Sequence, residues 1–192
     1  LATMSFIQVV FDHNWKEAKK TLEKALALNP NYPLAHIFYG NLLQYSGENT
    51  SRGLSEIKKA LSLDPLSSAY SWVLGRNYYY SGKYDSAHLQ LIKTLILEPN
   101  SASAKGFIAL TFLAEKKPAE ALDYIKQLPV DGNNPQQEYQ IFYLNHAYAL
   151  MGDFNRARAE LDKLKNDKTI LNKHFHIAQG LVYLGEYDKA ID

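Results

Sequence analysis

Residues 68–99 read SAYSWVLGRNYYYSGKYDSAHLQLIKTLILEP, and the spacing inside this stretch decides the fold. Apolar and small residues recur at three-to-four intervals on both sides of Gly82: Leu74, Gly75 and Tyr78 before it, Ala87, Leu91 and Leu95 after it. That period belongs to amphipathic helices. Gly82 breaks the chain between the two segments as a helix stop would. Pro99 closes the second segment, since proline has no amide donor and disfavours helix in the residue before it.

The same unit recurs in both directions. Leu28-Asn29-Pro30, Leu63-Asp64-Pro65 and Leu97-Glu98-Pro99 follow one another at steps of 35 and 34. Gly40, Gly75 and Ala109 keep that step, as do Gly47 and Gly82, with Gly152 and Gly185 later in the chain. A further series runs Ala18, Gly53, Ala87, Ala121, Ala157 and Ala190. A ring or a proline stands three residues before most of these (Trp15, Tyr84, Pro118, Phe154, Tyr187), and Thr50 stands there in the second copy. In that copy Ile37, Leu42 and Leu43 mark one apolar stripe, and Leu54, Ile57, Ala60 and Leu61 another. Helix pairs are therefore expected at about 1–11/14–28, 33–46/50–63, 67–80/84–97, 101–114/118–127, 136–151/154–165 and 170–183/187–192. Small residues allow two helices to approach closely, so Gly40 is expected to face Gly53 and Gly75 to face Ala87, with Tyr84 filling the space beside that contact.

Composition narrows the function. In 192 residues, 21 Lys and Arg balance 20 Asp and Glu, a net charge of +1 that does not build the basic field a nucleic-acid surface needs. No apolar run approaches the roughly 18 to 20 residues of a membrane span, so no membrane insertion is expected. With 46% apolar and 21% charged residues the chain should fold. Cysteine is absent, which removes disulfides and thiolate chemistry. Fourteen Tyr, eight Phe and two Trp lean toward recognition.

Signals for catalysis are missing. The chain has no G-x-G-x-x-G, no G-x-x-x-x-G-K and no G-x-S-x-G. His174 and His176 are two residues apart, which on a helix turns them about 200° away from each other and prevents a chelate. His13, His36, His88 and His146 are scattered without carboxylate or Cys partners at ligand spacing, and His36 reads as a packing residue. Asp153, Glu160 and Asp162 alternate with Arg156, Arg158 and Lys163 as on a solvated helix face. No enzyme activity, cofactor or metal is expected. Asn49-Thr50-Ser51 is a sequon of the kind that turns carry for their own reasons.

The set Leu74-Gly75, Tyr78, Gly82, Tyr84, Ala87, Leu91, Leu95 and Pro99 resembles the tetratricopeptide repeat, a helix-turn-helix unit of about 34 residues. The resemblance covers essentially the whole chain as one array, with units at about 1–31, 32–66, 67–100, 101–134, 135–169 and 170–192. It implies an all-α fold, a right-handed α–α superhelix (solenoid) of about six helix hairpins with truncated terminal units. The fourth unit departs from the pattern: Lys116 and Pro118 stand at its turn, it ends early at Leu128-Pro129, and Val130 to Gln137 reads as a polar linker. Ile7, Val9, Val10 and Phe11 with nothing before them, and a stop at Ala190-Ile191-Asp192, read as cuts through a longer polypeptide, so self-association through the open ends is expected. Asn29-Pro30-Asn31-Tyr32, Ala35-His36 and Leu63-Asp64-Pro65-Leu66-Ser67 are also similar to repeat regions of bacterial multi-domain signalling proteins.

In that family the first helix of each pair lines the concave groove. The resemblance puts Asn41, Gln44 and Tyr45 there from the second unit, and Trp72, Arg76, Tyr79 and Tyr80 from the third. The fifth adds Tyr139, Phe142 and His146, the sixth Phe175, Gln179 and Tyr183, while Ser103, Gly106 and Leu110 of the fourth would leave room. Tyr, Trp and Arg dominate binding energies once desolvated, roughly 2 kcal/mol or more for a hot spot. Some arrays of this family clamp a chaperone's terminal carboxylate with Lys and Asn at set places. Here one frame offers Ile37, Asn41, Val73, Ser103 and Phe107, the next Trp72, Arg76, Phe107, Tyr139 and Tyr143, and neither makes the clamp. The expected function is a non-enzymatic scaffold that binds a peptide or protein segment in its groove. The alternative is a sensory or autoinhibitory module of a larger bacterial regulator, a kinase, cyclase or transcription factor. The expected compartment is the cytoplasm, with the periplasm as the alternative.

Overall fold

A computed structural model describes residues 2–10, 14–129, 136–166 and 173–191, with side chains throughout except at 6, 7, 9, 10 and 136–138. The apolar side chains expected at the first end, His13, and most of the Val130–Gln137 linker lie outside the described residues. Two compact units make up the chain, Leu1–Pro99 and Asn100–Asp192. Among the described residues there are twelve α-helices and no strand. The first unit holds α1 (Ala2–Val10), α2 (Trp15–Leu28), α3 (Pro33–Ser46), α4 (Thr50–Leu63), α5 (Ser68–Tyr80) and α6 (Tyr84–Leu97). The second holds α7 (Ala102–Ala114), α8 (Pro118–Ile125), α9 (Gln136–Leu150), α10 (Phe154–Asn166), α11 (Lys173–Tyr183) and α12 (Tyr187–Ile191).

Local chemistry sets the helix ends. Asn14, Asn49, Ser67 and Asp153 each accept a hydrogen bond from the amide three residues on, which satisfies a donor the first turn would otherwise leave open. Asn29, Asp64 and Glu98, each before a proline, leave the helical region at φ near −142°. Between the two helices of a hairpin the chain turns through Gly47, Gly82, Gly152 and Gly185, all at φ between 68° and 76°. Lys116 holds the corresponding place of the fourth hairpin at φ 59°.

Within each unit the packing follows one rule. Each first helix packs on its own second helix and on the first helices of its neighbours (α1, α3, α5; α7, α9, α11), while successive second helices do not meet among the described residues. The first helices therefore form the inner layer of each unit. In the first unit the interior runs from Ala18, Leu22 and Tyr39 to Ile37, Ile57 and Leu74. In the second it centres on Leu113, Ile125, Phe142 and Tyr143. Burial of this kind contributes roughly 25 cal/mol per Å² of apolar area.

Gly40 does face Gly53: a Cβ on Gly40 would stand 2.7 Å from the Gly53 carbonyl oxygen and 2.5 Å from Ile57 Cγ1. Gly75 is a correction, because the atoms nearest its absent side chain belong to Leu91, at 2.7 Å, and not to Ala87. His36 is buried, with Nδ1 2.7 Å from Glu56 Oε2 and Nε2 2.9 Å from the Pro30 carbonyl oxygen. Gln140 is buried too, and its Nε2 donates to the carbonyls of Ile125 at 3.0 Å and Leu128 at 3.4 Å, which caps the early end of the fourth hairpin. Among the described residues no helix is long and apolar enough to cross a membrane.

Candidate functional site

The contact of α3 with α5 brings the two richest sets of expected groove residues together. Asn41, Gln44 and Tyr45 lie three and four apart, on one face of α3, and Trp72, Arg76, Tyr79 and Tyr80 do the same on α5. The Arg76 guanidinium lies over the Trp72 ring at 4.9 Å and near the Tyr45 ring at 5.7 Å. Its Nη2 donates to Asn41 Oδ1 at 3.0 Å, and the same oxygen accepts from Asn77 Nδ2 at 3.0 Å. Gln44 Nε2 donates to Ser81 Oγ at 2.6 Å.

Next to this cluster the rings stand in line. Tyr45 and Tyr80 are 51% and 55% exposed, with centroids 6.4 Å apart and edge toward face. Tyr79 lies 5.5 Å from Tyr80 and 5.9 Å from Tyr84. Beside Tyr45 and Tyr80 opens a cleft of about 590 Å³, which Gln44, Leu54, Ser81 and Lys83 also line. Large rings with polar tips and a guanidinium on a helix face suit recognition of a polypeptide: area from the rings, direction from the polar atoms.

Residues expected from the fifth and sixth units are placed differently. Phe142 is only 6% exposed and belongs to the interior of the second unit. His146 stacks on Tyr183, and burial lowers its pKa to about 4 while raising that of Tyr183. Tyr183 in turn lies 5.8 Å from Phe142, and His176 lies 4.7 Å from it. Phe175 is 66% exposed, Tyr139 is exposed and Gln179 is half-buried. The room expected at Gly106 faces Tyr143, whose ring would stand 3.5 Å from an added Cβ. Among the described residues no group of three or more His, Cys, Asp or Glu side chains is placed to hold a metal.

Two members of the first-unit network carry no signal of their own in the sequence reading. Asn77 is fully buried between α3 and α5, and Ser81 fixes Gln44. The repeat register contains the clue for Asn77. Asn145 holds the matching place two units on, is also buried, and donates to the Ala157 carbonyl at 2.8 Å.

Comparison with known proteins agrees with this architecture. A sequence profile of the tetratricopeptide repeat matches residues 73–138. Over 141 residues the chain is 26% identical to the DnaJ homolog subfamily C member 7 homolog of Schizosaccharomyces pombe, covering 65% of this chain but only 29% of that relative's length. The structure of pilF from Pseudomonas aeruginosa superposes with a TM-score of 0.71 at 21% identity, over 99% of this chain and 85% of that one. YrrB, a protein of the same repeat with an unusual peptide-binding site, superposes with a TM-score of 0.57 at 20% identity, over 88% of this chain and 87% of its own. Residues 73–138 match the tetratricopeptide repeat, and the hairpin packing and these likenesses give the chain the all-α solenoid fold seen in arrays of that repeat.

Proposed function

We propose that this chain is a non-enzymatic scaffold that holds a peptide segment of a partner protein along the first helices of its second and third hairpins. The observation that carries the reading is the juxtaposition on α3 and α5 of Tyr45, Trp72, Tyr79 and Tyr80 with Arg76 and Asn41. Packing accounts for only part of that set, since Tyr45 and Tyr80 each leave half of their surface to solvent. The mode is an extended or helical segment laid across the inner layer, with Trp72, Tyr79 and Tyr80 as anchors and Asn41, Gln44 and Arg76 directing it. YrrB supports the reading as an array of similar fold with a peptide-binding site.

The test is recovery of the partner on immobilised chain, comparing wild type with Tyr45→Ala, Arg76→Ala and Tyr80→Ala. Each substitution should lower recovery while leaving the helical circular dichroism and its melting midpoint in place. Unchanged recovery with unchanged fold would place the binding face elsewhere.

A further inference from the structure

We infer that the segment held here is acidic: it brings a carboxylate to Arg76 and lays an adjoining apolar side chain in the cleft beside Tyr45 and Tyr80. The inference rests on the groove reading above and adds the ligand's chemistry to it.

The chain has four arginines. Arg52 pairs with Glu56, Arg156 with Asp153 and Arg158 with Glu186, and all three are exposed. Arg76 alone of the four is half-buried, and among the described residues its partners are the Asn41 amide oxygen and two rings, with no carboxylate. Its Nε–H lies out of reach of water and meets no acceptor. The guanidinium most removed from solvent is thus the one without a counter-ion. An uncompensated charge in a reduced dielectric gains more from an arriving anion than an exposed one does. With the faces against Trp72 and Tyr45, Nη2 on Asn41 and Nε closed to solvent, Nη1 is the point of approach for a carboxylate oxygen.

The same ring couples this charge to the cleft. Tyr45 lies beside Arg76 and also lines the cavity of about 590 Å³, whose apolar lining is Leu54 and the Tyr80 ring. Lys83 at its edge adds a second positive charge that has no carboxylate partner among the described residues. A carboxylate and an adjacent apolar side chain are the two complements this surface takes.

The experiment is fluorescence polarisation of the full chain with four fluorescein-labelled peptide pools of equal length. Each fixes one Leu, Phe or Tyr. Three are amidated at the C-terminus and place Glu, Gln or Lys beside that residue; the fourth carries Gln there and a free C-terminus. The Glu pool or the free-carboxylate pool should bind at least about tenfold more tightly than the amidated Gln pool. That preference should shrink with added salt and vanish in Arg76→Met, and whichever pool leads identifies a side-chain or a terminal carboxylate as the source. Equal binding of the Gln or Lys pool, lost in Tyr45→Ala, overturns the acidic ligand and keeps the groove. Binding of no pool overturns both. Arg76→Met keeps the stem on the rings and should melt no lower than wild type; a markedly lower midpoint would make Arg76 a strut of the fold and sink the inference.

Discussion

The imidazole of His146 lies flat on the ring of Tyr183, centroids 3.8 Å apart and planes 6° from parallel. Burial there opposes a charge, so the folded chain holds His146 near a pKa of about 4, against 6.5 for an unperturbed histidine. Between these values the unfolded chain binds the proton more readily, and acid favours unfolding. The contribution of this site is complete above pH 6.5 and is lost as pH falls toward 4. A shift of that size is worth at most about 3 kcal/mol, and less after screening by solvent. Urea midpoints taken between pH 7 and 4.5 should fall further for wild type than for His146→Phe, which keeps a ring on Tyr183. Parallel falls would assign the acid sensitivity to other groups.

Lys116 stands at φ 59°, where four other hairpins carry glycine at 68° to 76°. A side chain in this left-handed region costs roughly 1 to 2 kcal/mol, partly offset by the freedom glycine loses on folding. Lys116→Gly should therefore raise stability by about 0.5 to 1 kcal/mol, read as a higher melting midpoint, and Lys116→Ala should not. No gain from glycine would mean that the turn carries no strain worth relieving.

Turn glycines and closing prolines make the helices legible in the sequence, because each acts locally. The observed helices start and end within about three residues of the expected positions wherever both are described. Partners across a helix pair are less legible. Gly75 meets Leu91 and not Ala87, since one sequence does not say which residue of the facing helix stands opposite. That Tyr45, Arg76 and Tyr80 lie together follows from their places in the repeat. The burial of Phe142 does not, because it depends on His176 and Tyr183 arriving from a helix more than thirty residues away. Asn77 looks like a polar interruption of α5 until the oxygen of Asn41 is brought to it.

Gln140 is the other residue whose role only packing reveals. The helix α8 has eight residues, and its end is held by Gln140 Nε2 on the Ile125 and Leu128 carbonyls. The Ile125 carbonyl keeps the Leu128 amide as a donor at 3.1 Å, so losing Gln140 Nε2 strips the Leu128 carbonyl of this donor and costs about 1 kcal/mol. Gln140→Leu, of similar volume, isolates that loss from a cavity. Amide hydrogen exchange in α8 should quicken more than in α7, and unchanged exchange would show that the helix end needs no cap.

Gly40 and Gly180 separate two kinds of tight contact. An added Cβ at Gly180 would press on Leu161 Cδ1 at 2.6 Å, the far end of a side chain that can turn aside, and would stand 3.1 Å from Asn145 Oδ1. At Gly40 it would meet Ile57 Cγ1 at 2.5 Å and the Gly53 carbonyl oxygen at 2.7 Å, and a backbone carbonyl yields only if all of α4 moves. Alanine favours helix over glycine by about 1 kcal/mol at both sites, and overpacking costs about 1 to 3 kcal/mol. The two terms should nearly cancel in Gly180→Ala and leave Gly40→Ala clearly destabilised in urea titrations at neutral pH. Moving α4 also moves Leu54, Thr50 and Ser51 at the cleft, so Gly40→Ala should weaken peptide binding without touching a groove residue. Equal stability losses, or a Gly40→Ala chain that binds as wild type does, would show that α3 and α4 slide apart at little cost.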